Sequence, residues 1–123
     1  MATDTQQVPR ESWREYFDRL SKVMGTVKAT VEISGPDVGD QFISEEPLVV
    51  TGITYDDKDD VLVIGLDAPG GHIEELEHFI YRPQAILAAG PEDLETELVL
   101  DVQDDEGHQT IVRIKPVPAL PGE

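Results

Sequence analysis

The sequence predicts an α+β domain: an N-terminal amphipathic helix followed by a small, strongly bent antiparallel β-barrel of five or six strands, SH3-like or Sm-like. Three observations carry this expectation. Apolar residues recur at helical spacing up to Met24, and after Gly25 they recur at every second position. Two glycines, Gly52 and Gly65, fall opposite each other in a predicted hairpin, which permits a sharp bend. A closing pair of strands shares one apolar face across a turn that must have an odd number of residues.

The elements follow in order. Residues 1–8 read as a disordered lead, residues 9–116 as a single helix-plus-barrel domain, and residues 117–123 as a Pro-rich tail. Pro9 suits a helix start, where a missing N–H costs nothing. Trp13, Tyr16, Phe17, Leu20 and Val23 or Met24 then form one apolar stripe, and Arg10, Glu11, Arg14, Glu15, Asp18, Arg19 and Lys22 the opposite face. This is a helix of about four turns ended by Gly25. Its Trp13 and Phe17 would plug one open end of the barrel.

Val27, Ala29, Val31 and Ile33 alternate with polar residues, the pattern of a strand with one wet face. Residues 35–47, with Gly, Pro and Asp, read as a loop. Strands near Leu48–Tyr55 and Val61–Leu66 are joined by Asp56-Asp57-Lys58-Asp59-Asp60, and a turn centred between Lys58 and Asp59 sets Gly52 against Gly65. Residues 67–75 are a second loop, and His78–Tyr81 a fourth strand interrupted by Pro83. Residues 84–89 suit either strand or helix. In the last hairpin, Leu98, Leu100 and Val102 face the same way as Thr110, Val112 and Ile114. A loop of Asp105, Glu106 and a left-handed Gly107 achieves this, and places Glu97 opposite Lys115.

The chain has 123 residues, of which 39% are hydrophobic, the scale of one core. Its net charge is −17, from 26 acidic and 9 basic residues. The charge is uneven: residues 1–28 hold five bases against four acids, and the remainder four bases against 22 acids. Such a body repels nucleic acid and anionic lipid within a Debye length of about 8–10 Å. It serves solubility, a high-salt habitat or a basic partner, and composition does not choose among them. No run of 18 apolar residues and no basic-then-apolar leader occurs, so no membrane segment and a cytoplasmic location are expected. Without cysteine there is no disulfide, thiolate zinc site or cysteine nucleophile.

Arg10-Glu-Ser-Trp-Arg-Glu-Tyr-Phe-Asp-Arg-Leu-Ser21, Pro47-Leu48, Ile80-Tyr81-Arg82-Pro83 and the closing hairpin together resemble a bacterial family of uncharacterised small proteins. Its members open with a W-R-E-[FY]-F-D-R-[FL]-S helix. The similarity covers roughly residues 8–116 and is carried by structural aromatics. It implies a stand-alone domain of unknown function and transfers no catalytic residue.

No catalytic residue and no cofactor is expected. Asp56, Asp57, Asp59 and Asp60 are the metal candidates, since clustered carboxylates gather oxygen ligands. Their spacing departs from an EF-hand loop, and a solvated hairpin tip explains them as well. His72 and His78, with Glu74, Glu75 and Glu77 between them, could assemble a second site if the loop folds back, whereas His108 reads as a surface histidine beside a turn. The four serines, Ser12, Ser21, Ser34 and Ser44, lack a nucleophile elbow or a nearby histidine. Neither Pro69-Gly70-Gly71-His72 nor Gly35-Pro-Asp-Val-Gly39 meets the requirements of a phosphate loop.

The interaction candidates are Trp13 and Tyr16, which are also core residues by their spacing, and Arg82, the one base within residues 59–112. Arg82 could meet a ligand anion or pair with Glu74, Glu75 or Glu77. The expected function is therefore non-enzymatic: a module that binds a protein partner or itself. The alternatives are an Sm-like RNA-binding ring and a divalent-cation-dependent enzyme or sensor built on acidic loops.

Overall fold

Along the chain run β1 (Thr5–Gln7), a 3-10 turn (Arg10–Ser12), α1 (Trp13–Val23), β2 (Val27–Gly35), β3 (Gly39–Asp56) and β4 (Val61–Asp67). Then come β5 (Glu75–Tyr81), β6 (Pro83–Ala89), β7 (Leu98–Asp104) and β8 (Gln109–Pro116). The computed structural model describes residues 5–23, 27–37, 39–67, 75–91 and 96–116. Met24 and Gly25, His72, Glu74 and the expected tail over residues 117–123 lie outside them.

The strands form one antiparallel sheet in the order β1-β6-β7-β8-β2-β3-β4-β5. Among the described residues it ends on β1 and β5 and does not close, so the expected barrel of five or six strands gives way to an open sheet of eight. The reason lies at Arg82. This residue turns the chain with a φ of 52°, and Pro83 follows without an N–H to donate. β6 therefore leaves β5 and pairs with β7, while β1 occupies its other edge. Residues 84–89 are strand.

The start of the chain also differs from expectation. Thr5–Gln7 pairs with Leu87–Ala89, and Val8 is buried, so the disordered lead does not extend to residue 8. A strand precedes the helix, and the α-helix proper has 11 residues rather than about four turns.

β3 is the 18-residue spine of the sheet. Its first part pairs with β2 up to Val49, its second with β4 from Val50 onward, and the ladder is irregular on both sides of that point. Residues 39–47, expected as loop, are thus strand. The exposed Asp40, Gln41 and Phe42 there show no apolar alternation to betray it. The β3–β4 register sets Gly52 opposite Gly65, and the β7–β8 register sets Leu100 opposite Val112, both as the turn geometry requires. Gly107 is left-handed at φ 86°, and Lys115 Nζ lies 3.7 Å from Glu97.

The bent sheet gathers its apolar faces over α1. Trp13, Phe17 and Leu20 are at most 1% exposed, together with Ile53, Leu62, Ile64, Ile86, Leu98, Val112 and Ile114. Each such side chain contributes about 1.5–3 kcal/mol by leaving water. Trp13 meets Tyr55 edge to face at 5.2 Å and donates its indole N–H to the Val8 carbonyl at 2.8 Å. Ser21, an ordinary surface position by sequence, instead donates to the Ile53 carbonyl at 2.8 Å and accepts from the Ile53 N–H at 3.3 Å. It ties the last turn of α1 to the bend of β3.

Candidate functional site

The residues singled out from sequence go to different places. Trp13 and Tyr16 are buried, so their apolar stripe belongs to the core. Asp56, Asp57, Asp59 and Asp60 do not converge on a common point. Asp56 Oδ1 accepts the backbone N–H groups of Lys58 and Asp59 and so shapes the turn. Asp57 faces Arg14 at 3.6 Å. Asp60, at φ 53°, accepts the Tyr55 hydroxyl at 2.6 Å and lies 3.6 Å from Arg10. Burial, together with this bond to Asp60, pushes the Tyr55 phenol up to about 12.

Arg82 is exposed, and among the described residues it pairs with Asp105 rather than Glu77; Glu74 and the Glu75 side chain lie outside the described part. Its Nε donates to Asp105 Oδ2 at 2.7 Å, across to the β7–β8 turn. That ion pair holds the guanidinium above its usual range. His78 points inward from β5, opposite Ile64, and burial pushes its imidazole below the usual value. His72, its expected companion, lies outside the described residues.

The chemistry converges instead on His108. β2 pairs with β8 along its length, with Ser34 opposite Gln109, so the turn after β2 and the turn before β8 abut. The β2–β3 turn brings Asp37 and the β7–β8 turn brings Asp104, Glu106 and His108. His108 Nδ1 stands 3.0 Å from Asp104 Oδ2, and Nε2 stands 2.8 Å from Asp37 Oδ1. A ring with a carboxylate on each nitrogen is best satisfied as the imidazolium, and the bonds to Asp104 and then Asp37 raise its affinity for the proton.

Asp104 is fixed in turn, because its Oδ1 accepts the N–H groups of Glu106 and His108, each at 2.9 Å. Side-chain exposure is 14% for His108 and 12% for Asp104, against 66% for Asp37. Gly35 makes room for the ring: a Cβ there would lie 2.7 Å from His108 Cδ2. The ligand atoms of Asp104, Glu106 and His108 all lie within 4.8 Å of one another, the one such grouping among the described residues. The candidate donors for a cation are therefore at this end of the molecule and not at Asp56–Asp60.

Asp104, Glu106 and His108 line one wall of an open cleft of about 210 Å³, which Ile33 and Thr110 also line. The other wall is β5, through Phe79, Ile80 and Tyr81. Phe79 and Tyr81 are 43% and 55% exposed, and their rings stack at 6.1 Å with 21° between planes. Sequence reasoning passed over this site because its halves are 71 residues apart. The available signal was the spacing Asp104-x-Glu106-x-His108 across a hairpin turn.

A family model matches residues 4–123, nearly the whole chain. The chain belongs to DUF5335, a family of unknown function. An uncharacterized protein of Aquifex aeolicus (strain VF5) is 36% identical over 118 residues, covering 95% of this chain and 97% of the relative. No solved structure matches. The DUF5335 assignment and the uncharacterized relative bear out the resemblance to a family of unknown function. Among the described residues, no helix is long and apolar enough to cross a membrane.

Proposed function

We propose that this DUF5335 chain is a non-enzymatic interaction module whose cleft between β5 and the β7–β8 turn takes a basic, extended protein segment. The observation that carries the reading is the stacked, exposed Phe79–Tyr81 pair on a strand that ends the sheet. An edge strand has backbone donors and acceptors facing away from its one neighbour and can accept a further strand. The paired rings offer apolar area at small entropic cost, as binding hot spots do.

Charge selects the partner. Asp104 and Glu106 line the cleft across from β5, Asp37 adds a third carboxylate behind His108, and Arg82 is already neutralised by Asp105. A segment with Lys or Arg alternating with apolar residues matches both walls. An RNA strand would meet carboxylates, and the open sheet removes the topological support for an Sm-like ring. Two copies of this chain, each at −17, would bring like charges together, which disfavours self-association as the use of this edge. The non-enzymatic half of the reading is supported by Ser21 being committed to the Ile53 backbone and His108 to two carboxylates.

The test is fluorescence anisotropy with a labelled decapeptide of alternating lysine and valine, against wild type and a Phe79→Ala/Tyr81→Ala variant. The expected result is saturable binding to wild type, weakened at least about tenfold in the variant, because two aromatic anchors carry 1 kcal/mol or more each. Equal binding by the two proteins would reduce the interaction to general charge attraction and overturn the assignment. Light scattering alongside reports any pairing of two chains, which would replace the basic partner with a second copy.

A further inference from the structure

We infer that Asp104, Glu106 and His108 form a binding site for a first-row divalent cation such as Zn²⁺, with Asp37 holding the imidazole from behind. The inference goes beyond the interaction reading and does not depend on it, since the site is defined without any partner in the cleft.

Donor chemistry comes first. One imidazole nitrogen with two carboxylates is a mixed set that suits Zn²⁺ or Mn²⁺, whereas Ca²⁺ and Mg²⁺ favour oxygen alone. Donors sit about 2.0–2.2 Å from Zn²⁺, so two ligands of one ion are at most about 4.4 Å apart. The three ligand atoms here lie within 4.8 Å, and Glu106 is an exposed turn residue, free to close the remaining few tenths of an ångström.

The orientation of the ring is the second observation. Nδ1 faces Asp104 Oδ2, and Nε2 faces Asp37 Oδ1 on the far side. A cation bound at Nδ1 would keep the proton on Nε2, which donates to Asp37, the carboxylate–histidine–metal arrangement that fixes tautomer and ring angle. Asp104 is likewise prepared, because the turn amides hold its Oδ1 and leave Oδ2 toward the ring.

Charge balance is the third. Asp37, Asp104 and Glu106 bring three negative charges around one imidazolium, and the guanidinium of Arg82 is held by Asp105. Binding replaces the Nδ1 proton, which passes to solvent, by two positive charges, so the local excess of two negative charges falls to one. The cleft beside these residues gives the ion room to keep water in its open positions.

The experiment is calorimetric titration of chelator-treated, full-length protein with Zn²⁺ alone, repeated with Ca²⁺, and with the variants His108→Gln, Glu106→Gln and Asp37→Asn. One saturable Zn²⁺ equivalent is expected, with Ca²⁺ much weaker. Loss of either ligand should weaken Zn²⁺ by tenfold or more, and Asp37→Asn by about 10–100-fold, the usual effect of an outer partner. The exposed Glu106→Gln change serves as the safeguard if His108→Gln is poorly folded, and circular dichroism on each variant separates the two cases. Absence of a saturable equivalent overturns the site. So does Zn²⁺ binding undiminished by both His108→Gln and Glu106→Gln, which would assign the metal to other histidines or to general surface charge.

Discussion

The imidazole of His108 lies against the backbone of Gly35 so closely that a methyl group there would stand 2.7 Å from its Cδ2. That approach joins two hairpins whose residues are far apart in sequence, and it makes Gly35 part of the site without contributing a functional group. Gly35→Ala must push the ring from Asp37 and Asp104 or shift β2. The expected cost is about 1–3 kcal/mol, the usual range for overpacking. Gly52→Ala is the control, because a Cβ there meets nothing within 4 Å. Thermal unfolding of the two variants checks the difference, and Gly35→Ala should also weaken the Zn²⁺ titration.

The two described histidines respond to pH with opposite signs. His108 has its proton affinity raised on folding by Asp104 and Asp37, with Glu106 beside it. In metal-free protein its contribution to stability is complete below the unfolded value of about 6.5 and is lost as pH rises through the higher folded value. His78 has its proton affinity lowered by burial. The unfolded chain therefore binds more protons at that position, and stability falls as pH drops below about 6.5 toward the lower folded value. Melting temperatures against pH should show the deficit of His108→Gln shrinking above neutrality. The advantage of His78→Leu should grow on the acid side.

Ser21 offers a test of how the helix is attached. Its hydroxyl serves both the carbonyl and the N–H of Ile53 beside the β3 bend. Ser21→Ala leaves those backbone groups without it, at a cost of about 1–3 kcal/mol in denaturant unfolding. Ser12→Ala should change stability by no more than about 0.5 kcal/mol, as surface substitutions do.

Trp13 separates core from surface. It is 1% exposed, packs edge to face on Tyr55 and donates to Val8. Trp13→Ala should cost about 3–5 kcal/mol, the range for emptying a buried aromatic site. Phe79→Ala/Tyr81→Ala should leave stability nearly unchanged and act on peptide binding instead. Unfolding and anisotropy measured on the same samples distinguish the two kinds of residue.

Local signals were the ones that could be read from the chain. The apolar stripe of Trp13, Phe17 and Leu20, the opposition of Gly52 and Gly65, and the Glu97–Lys115 pair each follow from periodicity or from a turn a few residues long. The first half of β3 was not legible, because exposed Asp40, Gln41 and Phe42 lack the alternation that marks a half-buried strand. Nor was β1, whose Thr5, Gln6 and Gln7 are all exposed and are held as strand only by the backbone of β6.

What the amino-acid order determined by itself was therefore most of the local elements, the β3–β4 and β7–β8 hairpin registers and the acidity of the body. Tertiary structure alone decided that the sheet stays open, since the turn at Arg82 and Pro83 sends β6 to the far end of the sheet, where β1 covers it. It also decided the site. Asp37 and His108 meet because β2 and β8 pair, a contact between distant segments that no local period encodes, and the setting of His108 between two carboxylates follows from that pairing.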